Sequence, residues 1–173
     1  MTEVYARWPS LPGLRWGIKQ SFLEYIARMP DGRGTVSDGA TPTEFNEMVF
    51  EPDGVERSDE RVSRLRFRGD VRFAGHHGFL FVRLADPWVS IEGDRGALSV
   101  LDVHEPDTAP RIPLVTFAVS DHQVVKAVEY WTANAVRLTE EGCEVFNKVY
   151  PPGELFDPLV IALPVGRTTE AVT

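Results

Sequence analysis

Read for apolar spacing, the stretch Leu14–Met29 (LRWGIKQSFLEYIARM) carries the only long helical pattern in the first half of the chain. Leu14, Ile18, Phe22, Tyr25 and Met29 recur at steps of three or four, which predicts one buried helical stripe with Arg15, Lys19, Gln20 and Glu24 largely outside it. This spacing turns Tyr25 inward. A buried phenol without a partner costs on the order of 1–3 kcal/mol, so Tyr25 is expected to have either a hydrogen-bond partner or a chemical role.

From Arg64 the period changes to two. Leu65, Phe67, Gly69, Val71 and Phe73 alternate with Arg64, Arg66, Arg68, Asp70 and Arg72, the signature of a long half-buried strand. A Gly-flanked AGHHG turn separates it from a second strand at Phe79–Leu84. Trp88–Glu92 and Ala97–Val103 follow, divided by Gly93–Gly96, so four antiparallel strands in a meander are expected. Before this block, Gly34–Ser37 reads as a short strand within a Gly/Asp/Ser/Thr/Pro-rich loop, and Glu47–Pro52 as another closed by the Asp53-Gly54 turn. Val55–Val62 is too charged for the core.

After it, His104–Ile112 reads as loop and Leu114–Val119 as a β-branched strand. Gln123–Val136 fits either period, and strand is preferred on composition. Leu138–Asn147 reads as a short helix with Thr139 as N-cap, and Leu159–Val165 as a last strand. The expected organisation is an N-terminal extension (1–13), one domain (14–165) of mainly β structure with two short helices, and a polar tail from Gly166 that is expected to be disordered.

Composition narrows the function classes. A formal charge of −8 without a Lys/Arg run argues against a nucleic-acid or anionic-membrane surface. No segment approaches the roughly 18 apolar residues of a membrane span, and the N-terminus does not resemble a signal peptide, so a cytoplasmic location is expected. Cys143 is the single cysteine; it excludes an internal disulfide and reads as a small buried apolar residue. Phosphate loops, GxSxG, HExxH and CxxC are all absent. His104 and His122 stand alone in predicted loops and are expected to be solvated, whereas one of the neighbouring His76 and His77 can face inward. Tyr150 reads most simply as a core aromatic. Residue chemistry by itself therefore stops at a mainly β domain with a candidate Tyr/His pocket.

The blocks LRWGIKQSFLEYI, TVSDGAT, RFRGDVRFAGHHGFL and LTEEGCEVFNKVYPPGELFDPL resemble, in order and across most of the chain, the signature blocks of the HtaA-type haem-binding domain of bacterial haem-uptake proteins. The resemblance implies a twisted antiparallel β-sandwich with two short helices. It implies further that Tyr25, in WG-x-K-x-S-F-x-x-Y, is the axial ligand of ferric haem b, that His76 hydrogen-bonds to it, and that Tyr150 sits at the same pocket, with His77 in a variable position. A histidine N–H beside a tyrosinate would steady an anionic ligand that favours ferric iron. Ile18, Phe22 and Phe79 are expected to cover the macrocycle, and Ser37 with the Gly34–Thr41 loop to meet its propionates. The implied function is haem transport, buffering or sensing inside the cell. The alternatives are a haem-dependent enzyme, peroxidase- or oxygenase-like, acting on a small molecule in a biosynthetic pathway, and a pocket whose family residues serve only structure. The sequence leaves the oligomeric state open, a homodimer being one option.

Overall fold

A computed structural model describes residues 11–57, 62–105 and 110–165. The proposed polar tail and most of the N-terminal extension lie outside these residues, as do 58–61 of the charged Val55–Val62 segment. The strands are β1 (Gly13–Trp16), β2 (Arg33–Ser37), β3 (Ala40–Pro42), β4 (Met48–Arg57), β5 (Val62–Arg68), β6 (Asp70–Gly75), β7 (Leu80–Ala85), β8 (Trp88–Glu92), β9 (Arg95–Leu101), β10 (Arg111–Val125), β11 (Val128–Leu138) and β12 (Leu159–Pro164). The helices are α1 (Gln20–Arg28) and α2 (Glu140–Val145).

The main sheet runs β1-β12-β11-β10-β9-β8-β5-β4, and β1 also pairs with β4, so the sheet closes on itself. The architecture is therefore a closed antiparallel barrel rather than the expected sandwich. Closure removes the free edges that an open sheet must protect. Short β3 hangs on β4 outside the ring, and β2-β6-β7 form a separate three-stranded sheet.

Three expectations change for physical reasons. The first is the long N-terminal helix. Leu14 and Trp16 are buried as part of strand β1, held between β12 and β4, and Arg15 beside them is also buried and paired to Glu47 at 3.2 Å. Gly17 and the left-handed Ile18 (φ 60°) then turn the chain, and the helix begins only at Gln20. Apolar spacing of two and of four coincides at Leu14 and Ile18, which is why the strand was read as helix.

The second change concerns the Arg64–Phe73 strand. Its alternation is correct, with Leu65, Phe67, Val71 and Phe73 all buried, but it breaks at Gly69. Here φ is +154°, and a Cβ would lie 2.7 Å from Ala40 Cβ and 2.8 Å from the Phe50 ring, so only glycine allows the chain to pass from the barrel into the second sheet. As the third change, no four-strand meander forms: β6–β7 is a hairpin of the small sheet, and β8–β9 a hairpin of the barrel.

Asp53-Gly54 does not end a strand: β4 continues through it to Arg57 with only a register irregularity against β5 between Pro52 and Gly54, and Val55, expected outside the core, packs half-buried against it. From Gln123 onward the sequence reading agrees with shifted bounds. Gln123–Val136 is strand, folded into the β10–β11 hairpin over a two-residue turn at Lys126 and Ala127, both with positive φ. Thr139 caps α2: its hydroxyl accepts from Gly142 N at 2.8 Å and donates to the Pro113 carbonyl at 2.7 Å. Cys143 is half-buried, and its thiol donates to the Thr139 carbonyl.

Candidate haem site

Helix α1 buries Phe22 and Ile26 one turn apart, with Met29 continuing the face. Tyr25 lies about 100° around the helix from Ile26. It is 43% exposed and does not point into the core, contrary to the sequence expectation. Its hydroxyl is hydrogen-bonded to Nε2 of His76, and the two rings lie 5.8 Å apart. The partner that residue chemistry demanded is therefore present, at the surface.

His76 opens a single 3-10 turn, His76–Gly78, after β6. His76 and His77 are both left-handed, with φ of 48° and 56°, a region uncommon for residues other than glycine, although histidine enters it more readily than most. The Asp31 carboxylate accepts both of their backbone N–H groups, His76 N at 3.2 Å and His77 N at 2.7 Å. These bonds, above all that from His77, hold the Asp31 carboxyl below its ordinary pKa. Met29 Sδ also lies 3.2 Å from His76 N.

Tyr150, which follows α2, joins the same neighbourhood. Its half-buried ring meets Phe156 at 5.7 Å, Phe146 at 6.2 Å and Phe22 at 6.4 Å, all edge-on, and Lys19 Nζ sits 5.4 Å from its centre. Burial raises the phenol pKa, a hydrogen bond with Ser21 opposes this, and Glu154 and Tyr25 add to the rise. Ser21 precedes Tyr25 by four residues and so shares its helix face. The structure thus brings Tyr25, His76, Tyr150 and Ser21 to one surface.

The remaining predicted site residues divide. Phe79 is 87% exposed directly after the His76 turn, an unusual place for a large apolar ring and a suitable one for a flat ligand. Ile18 and Phe22 are fully buried and cannot cover a ligand at the surface. Ser37 pairs with Asp70, six residues before His76 on β6 and hence roughly 20 Å away along the strand, and its hydroxyl donates to Asp38. It does not adjoin the Tyr25–His76 pair. His122 is not simply solvated: it stacks on Trp131 at 4.8 Å and faces Glu129 at 3.5 Å.

Sequence reasoning missed Ser21 and Asp31. The i, i+4 spacing to Tyr25 could have indicated Ser21, whereas Asp31 looked like any turn aspartate in Pro30-Asp31-Gly32. Among the described residues no three His, Cys, Asp or Glu side chains form a cluster able to hold a bare metal ion. Two surface cavities, of about 380 Å³ around Trp88 and Arg66 and about 330 Å³ around Phe81, His104 and Glu144, are lined by neither Tyr25 nor His76. No described helix is long and apolar enough to cross a membrane.

A family model described as Htaa matches residues 13–162. A comparison with curated protein sequences finds no match. Similar solved structures include the C-terminal domain of HtaA from Corynebacterium glutamicum, 24% identical over 88% of this chain and 95% of that one with a TM-score of 0.73. The N-terminal domain of the same protein is 24% identical over 88% and 95%, with a TM-score of 0.72. The heme binding protein HtaB of that organism is 22% identical over 87% and 91%, with a TM-score of 0.65. These structural likenesses are of fold.

Proposed function

The chain belongs to the Htaa family, and from this premise we propose that it binds ferric haem b through Tyr25 and serves to carry, buffer or sense haem within the cell. The observation that carries the reading is the exposed phenol of Tyr25 hydrogen-bonded to an imidazole, with the exposed ring of Phe79 three residues after that histidine. A phenolate oxygen is hard and anionic, so the donor set fits Fe(III). The bound haem would supply a ferric Lewis-acid centre, whose charge favours the ionised phenol.

A side chain must lose its proton to ligate a metal as an anion, so on binding the Tyr25 proton must have somewhere to go. Nε2 of His76 accepts it and then returns an N–H hydrogen bond to the phenolate oxygen, fixing the ligand's orientation and its basicity. Phe79 offers an apolar face to a flat ring system. The hydroxyls of Ser21, one helical turn from Tyr25, and of its partner Tyr150 supply donors suited to carboxylates, whereas the nearby Lys19 ammonium is already held by the Leu155 carbonyl at 2.8 Å and by Glu154 at 3.5 Å. This replaces the role first expected of Ser37.

Openness favours transfer over turnover. Tyr25 stands on an accessible surface, from which a bound group can be handed on. The test is to add ferric haem to purified protein and record the absorption spectrum. A high-spin tyrosinate spectrum that disappears in Tyr25→Ala is expected. A spectrum of free haem, or one that survives Tyr25→Ala unaltered, refutes the assignment.

A further inference from the structure

The ligand pair is formed by elements far apart in sequence, Tyr25 on α1 and His76 after β6, and one side chain ties them together at close range. Asp31 stands six residues after Tyr25, just past the end of the helix, and grips the His76–His77 backbone with both carboxylate oxygens. We propose that Asp31 is the positioning residue of the haem site, a carboxylate that locks the left-handed His76–His77 turn onto the end of α1 and so aims the His76 imidazole at the Tyr25 oxygen. The inference rests on the haem reading above and concerns how the ligand pair is held ready.

Three features carry it. Successive backbone N–H groups of a tight turn can converge to form a concave anion receptor. Here the receptor is filled by the chain's own carboxylate, one oxygen to each N–H, at 3.2 and 2.7 Å. Two successive non-glycine residues in this region are uncommon, so the turn gains from an outside constraint, and Asp31 supplies one. Finally, the approach is sterically prepared: a Cβ on Gly75 would stand 2.1 Å from Met29 Sδ, so glycine lets the turn lie against the helix end without displacing the Met29 side chain.

Asp31 touches neither iron nor phenol, and its effect runs through His76. Asp31→Asn is close to isosteric but leaves one acceptor and sets an amide N–H against a backbone N–H. Asp31→Glu keeps two acceptors. Haem dissociation from each preloaded variant, measured by transfer to an excess of an apo-globin scavenger, should be roughly 10- to 100-fold faster for Asp31→Asn than for the parent, with Asp31→Glu nearer the parent. The phenolate-to-iron charge-transfer band of Asp31→Asn should move toward that of His76→Ala. In a His76→Ala background, Asp31→Asn should add little, because the residue it positions is gone. A parent-like dissociation rate in Asp31→Asn, or an effect undiminished in the His76→Ala background, overturns the proposal while leaving haem binding intact. Should the parent take up no haem, the reading of the preceding subsection fails. The ring ¹⁵N shifts of His76 in the haem-free protein then decide the present one: a change between parent and Asp31→Asn supports positioning, and identical shifts overturn it.

Discussion

Replacing Phe22 with alanine separates the core beneath the site from the site itself. The two are adjacent: Phe22 precedes Tyr25 by one helical turn, and the sequence reading gave it a place against the macrocycle. In the structure it has no exposed surface, and its ring lies edge-on to Phe73 at 5.2 Å, Phe146 at 5.5 Å and Tyr150 at 6.4 Å. Removal of a fully buried phenyl forfeits its transfer free energy and leaves a cavity, typically about 3–5 kcal/mol together. Three edge-on aromatic contacts argue for the upper part of that range, because each is worth about 0.5–1.5 kcal/mol beyond area burial. For a chain of this length 1 kcal/mol moves the thermal midpoint by about 2–4 °C, so a fall of roughly 10–15 °C is expected. The assay is thermal and urea unfolding of the haem-free protein, with Phe79→Ala as comparison. Phe79 is 87% exposed, so its removal should change stability by no more than about 0.5 kcal/mol while weakening haem uptake. A Phe22→Ala midpoint within about 2 °C of the parent, less than about 1 kcal/mol, would refute the placement of Phe22 in the core.

Further outcomes follow from other contacts. His76→Ala should retain the fold, since its side chain is exposed, but lose haem about 10- to 100-fold faster, read by scavenger transfer. Thr139→Ala removes the cap of α2 together with the bond to Pro113 and should cost about 1–2 kcal/mol in urea unfolding. Asp70 is buried between Arg72 at 2.8 Å and Arg83 at 2.9 Å; burial by itself would raise its pKa, but the two guanidiniums outweigh this and hold it below the ordinary carboxylate value. A folded pKa depressed below the unfolded one stabilises fully above about pH 4, and this contribution is lost as pH falls through the folded value. Asp70→Asn should therefore lower stability at pH 7 and flatten the acid limb of the stability curve, and an unchanged acid limb would contradict the ion cluster.

The sequence made some of this legible and hid the rest for definable reasons. Alternation from Leu65 to Phe73 reports burial faithfully, because side chains two apart share a face whatever sheet the strand joins. It says nothing of sheet membership, which changes at Gly69 through a backbone angle. The helical stripe from Leu14 failed because β1 is covered by neighbours from both ends of the domain, so even Arg15 is buried, and no local period reports such pairing. Tyr25, His76 and Tyr150 were found together only by family resemblance. Their geometry then located Ser21 beside Tyr25 and excluded Ser37, which is local in the loop but remote in the sheet. Asp31 was invisible because its partners are backbone N–H groups, which leave no trace in residue types.

The closure of the barrel bears on how the protein comes into being. β1 has one neighbour in β4 and the other in β12, where Leu14 faces Ile161. During synthesis the ring stays open until almost the last described strand has emerged, and contacts of such sequence separation are slow to form. Until then β1 and the helix that follows it hang from one edge. A chain emerging from the ribosome thus possesses Tyr25 long before it possesses the platform that steadies it. Haem competence should arrive late and at once, as a property of the closed barrel, and a nascent chain stopped before Leu159 should take up haem poorly despite containing every proposed ligand residue.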